Sequence, residues 1–225
     1  MTDVFACARA QIYYNSKRKP LAQVKRESGC SHIINGYLFN GSFQPVGWTV
    51  IDGKVISRDA YQDWGISIGS DGKPQMLTDR GGSFLSGVPL LKNGAKLERS
   101  LTPDVARSAA RTAVGWMPDG RICLWCDKTS LTREQLQNKL LGLGVADALM
   151  LDGGGSTQGI FPNGKVASSR KVPTMVLFWE ETHQEENTDL NWAGKSGILT
   201  EAQLAEPEKA VTRRELAEIL HRLQK

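Results

Sequence analysis

Short apolar runs separated by glycine-bearing turns fill the first 180 residues and predict a chain built mainly from strands. Residues 4–14, rich in Val, Phe, Ile and Tyr, read as an opening strand, and 31–40 as a second apolar strand that stops at Asn35-Gly36. Asp52-Gly53, Asp71-Gly72 and Asn93-Gly94 each divide two apolar runs, the pattern of hairpins whose turns need φ > 0. Further strands are expected over 111–116, 121–127, 146–151 and 172–179, with turns at Pro118-Asp119-Gly120 and Pro162-Asn163-Gly164. Helical spacing is rarer. Residues 20–27 carry Pro20 in a first turn, a sparse face of Leu21 and Val24, and a stop at Gly29. Thr132-Arg133-Glu134-Gln135 is a capping box opening a helix with Leu136, Leu140 and Leu143 on one face, ended by Gly142 and Gly144. Residues 102–110 read as a polar loop or a helical turn.

The pattern changes at residue 180. Residues 181–190 are acidic and without apolar periodicity, which predicts a linker. Beyond it, capping boxes at 200–203 and 212–215 and the stripe Leu216, Ile219, Leu220 and Leu223 predict a small two-helix unit over 191–225. The expected class is therefore α+β: a mixed, hairpin-rich β-sheet core over 1–180 with a few packed helices, then a small helical appendage.

Charge refines this. The 225-residue chain carries +4, but from Glu181 onward nine acids face six bases, which leaves the first 180 residues at +7. A basic body favours an anionic ligand. No stretch approaches the roughly 18 apolar residues of a membrane span, and residues 1–20 lack the apolar core of a signal peptide, so synthesis in a cytoplasm is expected. Neither a nucleic acid nor a membrane is expected as a partner. Cys123 and Cys126 form C-x-x-C, yet on a strand this spacing points their side chains to opposite faces, so core cysteines are expected.

The chemistry converges on Asp152-Gly153-Gly154-Gly155-Ser156-Thr157, where an apolar run ends in a carboxylate, three glycines and two hydroxyls. Three residues without Cβ let a ligand reach main-chain N–H groups, which suits an anionic oxygen, although a tight turn between strands would use the same residues. No Gly-Lys-Ser/Thr follows, and Ser156 is not framed as Gly-x-Ser-x-Gly. Asn35, Tyr37, Arg111, Thr112, Asp127 and Arg170 are the polar groups expected to gather there. Arg111 offers a planar fork to phosphate or carboxylate. Arg80-Gly81-Gly82-Ser83 and Ser86-Gly87-Val88-Pro89 are irregular and could border a pocket. Of the three histidines only His32 lies in the body, within an apolar run, which disfavours a Ser156 hydrolase.

Four stretches in order resemble successive motifs of the phosphodiester glycosidase family: Asn35-Gly36-Tyr37-Leu38-Phe39; Gly87-Val88-Pro89-Leu90-Leu91 with Asn93-Gly94; Arg111-Thr112-Ala113-Val114-Gly115 with Asp119-Gly120; and Leu143-Gly144 continuing through Asp147 to Ser156. The family pattern has two glycines where this chain has only Gly36. The resemblance spans residues 4–180 and implies an α+β fold that hydrolyses the bond between a sugar's anomeric carbon and a phosphodiester oxygen. It further implies Arg111 and the amides of Gly153, Gly154 and Gly155 on the phosphate. Asp152 becomes base, nucleophile or cation stabiliser, with Asp127 as second carboxylate. Asn35, Gly36, Tyr37, Thr112, Ser156, Thr157 and Arg170 would bind substrate. No cofactor is required, although Asp152 and Asp127 together could hold Ca²⁺. A binding module that keeps the anion site without catalysis is the alternative.

Residues 192–222 also resemble a single S-layer homology repeat, a unit that binds cell-wall polysaccharide. With no signal peptide this suggests a phage or prophage product released by lysis, acting on an anionic cell-wall glycopolymer.

Overall fold

The structure, a computed structural model, describes residues 1–58 and 63–181. Apart from Glu181, the expected linker lies outside the described residues, as does the two-helix unit resembling an S-layer homology repeat.

The chain opens with β1 (Thr2–Phe5) and β2 (Cys7–Tyr14), followed by α1 (Leu21–Ser28) and β3 (His32–Asn35). Short strands come next: β4 (Thr49–Ile51), β5 (Lys54–Ser57), β6 (Gly65–Ile68), β7 (Pro74–Leu77), β8 (Ser83–Ser86), β9 (Val88–Lys92) and β10 (Ala95–Lys96). Then come α2 (Pro103–Ala106), β11 (Ala109–Trp116), β12 (Ile122–Leu131), α3 (Arg133–Gly142) and β13 (Asp147–Met150). A 3₁₀ turn (Gly154–Ser156) leads to β14 (Gly159–Phe161), β15 (Gly164–Val166) and β16 (Thr174–Glu180).

Three sheets result, ordered β1-β12-β11-β13-β9-β10, β15-β14-β3-β16-β2 and β5-β4-β8-β6-β7. Every ladder among the described residues is antiparallel, so the sheet-dominated core with few helices is present without the expected mixture of strand directions. The first predicted strand is two. β1 pairs with β12 while β2 pairs with β16 in another sheet, so the chain changes sheets at Ala6. The Asx-Gly signals hold at Asp52-Gly53 and Asn93-Gly94, where both residues take φ between 50° and 76°, as a two-residue hairpin turn requires.

The continuous apolar run of β16 is explained by burial on both faces. Val176 and Phe178 join the main core with Ile12, Ile34, Ile66, Leu85, Leu124 and Leu149, which come from all three sheets. Met175 and Leu177 turn the other way, onto Leu21 and Val24 of α1. Cys123 and Cys126 are buried free thiols whose pKa values burial pushes up to about 11. The capping box of α3 is formed in both directions and its Leu136 and Leu140 are buried. Leu143 departs from expectation: it falls past the last turn and is exposed, and buried Gln137 instead anchors the helix by donating to the carbonyls of Leu90 and Leu97.

Candidate active site

The site forms where β13 of the first sheet and β3 of the second run out side by side. The N–H of Leu151 donates to the carbonyl of Thr112 on β11 (2.9 Å), and the next N–H, of Asp152, donates to the carbonyl of Gly36 just past β3 (3.1 Å). Two successive peptides thus bridge two sheets. Gly36 has to be glycine, because a Cβ there would lie 2.2 Å from Thr174 Oγ1 and 2.8 Å from the Thr174 carbonyl carbon. β3 ends at Asn35, where the sequence pattern stops it, because the chain must squeeze past β16 before turning away.

Asn35 ties this junction together. Its Nδ2 donates to the carbonyls of Asp152 (2.8 Å) and Gly36 (3.0 Å), while its Oδ1 accepts from the hydroxyl of Thr112 (2.7 Å) and the N–H of Gln158 (3.0 Å). Asn35 and Thr112 are fully buried. They fix the main chain that carries Asp152, and neither lines the cavity beside it, so they position the site where direct substrate contact was expected.

Gly153 packs so close to the carbonyl of Ala110 that a Cβ would sit 2.6 Å from it. Gly154 then takes φ +60°, and the 3₁₀ turn closes with Ser156 N–H to Gly153 O (3.1 Å) and Thr157 N–H to Gly154 O (3.2 Å). The Gly153 N–H is not available to a phosphate, because it donates to Asp152 Oδ1 (2.8 Å). The amides of Gly154 and Gly155 make no hydrogen bond to another described residue. Ser156 is buried, and its hydroxyl pulls the Asp152 pKa down. Thr157 is likewise buried and holds Lys128 through its carbonyl.

The cavity above this turn has a volume of about 490 Å³, large enough for a sugar bearing a phosphate. Tyr37, Leu38 and Phe39 supply apolar lining, and Asp152 and the three glycines line the same cavity. Five charged groups line it: Asp104, Arg107, Arg111, Asp152 and Arg170. Burial raises the Asp152 carboxyl above its ordinary value, against the pull of the Ser156 hydroxyl, the Gly153 N–H and the charges of Arg170 and Arg107. Asp104 goes the other way, lowered by hydrogen bonds from the Thr102 side chain and local main chain.

Arg111 lines the cavity, but its fork is already committed. Nε donates to Leu131 O (3.0 Å), Nη1 to Val105 O (3.3 Å) and Nη2 to Arg107 O, so it braces the segment around α2 against the end of β12. Burial and the neighbouring Arg107 charge lower its pKa. The guanidinium groups better placed for an anion are those of Arg107, beside Gly154, and Arg170, beside Gly155. Arg107 makes no ion pair or side-chain hydrogen bond among the described residues. Among the described residues the Arg170 guanidinium hydrogen-bonds only the Ser156 hydroxyl (3.4 Å).

Asp127 is not part of the site. Its carboxylate pairs with the Met1 ammonium (3.0 Å) and accepts from the Thr129 N–H (2.7 Å), and these contacts lower its pKa to about 2. The Asp152 and Asp127 pair considered for Ca²⁺ is therefore not assembled, and no cluster of three His, Cys, Asp or Glu side chains stands ready for a metal among the described residues. His32 is held by Asp3 (2.9 Å) and Ser31 (2.9 Å) and stacked on Phe5, which leaves it no role as base to Ser156. The segments around Gly82 and Gly87 do not line this cavity. Asp104 and Arg107 were missed by the sequence reading. Their only signal was the Thr102-Pro103 helix start, which carries no chemistry by itself.

Residues 28–179 match the family profile of phosphodiester glycosidase, and the chain belongs to that family, which makes it a glycosidase-type hydrolase. Its fold resembles the catalytic domain of zebrafish N-acetylglucosamine-1-phosphodiester alpha-N-acetylglucosaminidase auto-inhibited by its pro-peptide. The two are 21% identical with a TM-score of 0.62 over 77% of this chain and 73% of that one. A hypothetical protein from Synechocystis is similar at 14% identity, with a TM-score of 0.60 over 76% of this chain and 56% of that one. No curated protein sequence matches the chain. Among the described residues no helix is long and apolar enough to cross a membrane.

Proposed function

We propose that the chain hydrolyses a sugar-1-phosphodiester at the anomeric carbon, releasing the sugar and a phosphomonoester. The observation that carries this is that one partly buried carboxylate, Asp152, and two guanidinium groups, Arg107 and Arg170, line the same sugar-sized cavity. The phosphate is held by Arg107 and Arg170 with the amides of Gly154 and Gly155. A phosphomonoester leaves with its negative charge spread over several oxygens, so it needs less protonation than a sugar alkoxide. Holding that charge in place is the larger part of the catalysis.

Asp152 acts on the sugar side. Its burial raises its proton affinity, which suits a base that takes a proton from the attacking water. Asp104, ionised and exposed at the same cavity, is the second carboxylate and offsets the positive charge that develops on the ring. The apolar lining of Tyr37, Leu38 and Phe39 takes the carbon face of the sugar. N-acetylglucosamine is the sugar the family suggests.

The test is steady-state release of reducing sugar from glycosyl-1-phosphodiesters. Asp104→Asn should lower kcat by about 10²-fold or more, the scale of one positioned charge or acid–base group. Unchanged turnover in that variant would remove Asp104 from the reaction.

A further inference from the structure

A second cavity, of about 370 Å³, adjoins the first. Arg170 lines both. Its main chain is held in place. Gln158 Nε2 donates to Arg170 O (2.8 Å), the Arg170 N–H donates to Ser168 Oγ (3.1 Å), and Ser168 Oγ donates in turn to Gly155 O of the glycine turn (2.6 Å).

The two cavities differ in charge. The first is lined by two aspartates and three arginines, whereas the second is lined by Lys19, Lys165, Arg170 and Lys171 and by no acid. Lys19 is neutralised by Glu27. Lys165 and Lys171 are exposed and form no ion pair among the described residues. Leu21, Ile160 and Val172 add apolar lining, and Ser168 and Ser169 add hydroxyls. An uncharged group esterified to the leaving phosphate would gain nothing from such a rim, while one with a further phosphate would find two unsatisfied cations beyond the phosphate already held by Arg170.

We infer that the groove of Lys165, Lys171 and Ser169 receives the far side of the substrate, and that this far side carries a further phosphate. The substrate class is then a polyanionic glycosyl-phosphate chain, cut at one of several phosphodiester links. This inference rests on the proposed function and adds to it the identity of the leaving group.

The test uses the full chain and two defined substrates: the methyl diester of a hexose 1-phosphate, and the same hexose 1-phosphate esterified to glycerol that carries a terminal phosphate. In the wild type the extended substrate should show a KM lower by about tenfold, from two exposed ion pairs each worth roughly a factor of three. The advantage should shrink in high salt. The double variant Lys165→Ala/Lys171→Ala should lose it while keeping its kcat/KM on the methyl diester, and Lys165→Arg/Lys171→Arg should keep it. Equal KM values for the two substrates in the wild type, or an equal loss on both in the alanine variant, would overturn the groove and leave the proposed function standing. Cleavage of neither substrate would overturn the function instead. The groove is then decided by equilibrium titration of the chain with a fluorescent glycerol-phosphate oligomer: saturable binding lost in the alanine variant supports it, and no binding overturns it.

Discussion

Asn35→Ala separates the positioning role of Asn35 from the direct substrate contact expected of it. The side chain makes four hydrogen bonds and is fully buried. After truncation Gly36 O still accepts from the Asp152 N–H, and the Thr112 hydroxyl keeps only a distant sulfur of Cys126 at 4.0 Å. The Gln158 N–H and the Asp152 carbonyl lose the partner that Asn35 gave them. Leaving buried groups of this kind unpaired costs about 1–3 kcal/mol each, so the variant should lose about 3–5 kcal/mol. For an m-value of about 2 kcal/mol/M in urea this moves the unfolding midpoint down by about 2 M. Asn35→Asp keeps the shape but loses both donors and buries a charge, so it should do no better. Urea titration followed by tryptophan fluorescence reads both. A midpoint within about 0.5 M of wild type, or lost activity at full stability, would show that Asn35 acts on substrate and does not hold the junction.

Arg107→Ala should raise KM about tenfold or more with an unchanged unfolding midpoint, whereas Arg111→Ala should lower the midpoint, because only the second side chain holds main-chain carbonyls; steady-state kinetics beside urea titration distinguishes them. Gly36→Ala forces a Cβ into Thr174 and should cost roughly 2 kcal/mol or more, seen as a lower melting temperature. The folded-state pKa of Asp152 is raised, so its contribution to stability is complete below the ordinary aspartate range and is lost as pH rises through the raised value. Asp152→Asn should therefore gain melting temperature over wild type at neutral pH, and the gain should fade toward low pH; a gain that grows with acid would contradict burial as the cause.

Much of the frame could be read from residue pattern because local rules set it. The capping box at Thr132, the stop at Gly29 and the turns at Asp52-Gly53 and Asn93-Gly94 depend on neighbours in sequence, and the structure places them there. The candidate cavity was legible at Asp152 and its glycines, which line it where an apolar strand ends in a charge. It was not legible where distant chain decides. Asp127 stands at the end of a predicted strand, yet the Met1 ammonium, brought over by β1 pairing with β12, takes its carboxylate. Arg111 looked like a ligand at a strand mouth until the carbonyls of Val105, Arg107 and Leu131 folded around it. Asp104 and Arg107 reach the cavity from within and just past a four-residue helix that no periodicity marks out.

The most direct measurement is release of reducing sugar from a panel of sugar-1-phosphodiesters by wild type and Asp152→Asn side by side, with folding of both checked by urea titration. Turnover by the wild type, and its loss in a variant that is folded and still binds the same compounds, is the predicted result. An Asp152→Asn variant that turns over as fast as wild type, or a folded wild type that binds these compounds and cleaves none, would contradict the account.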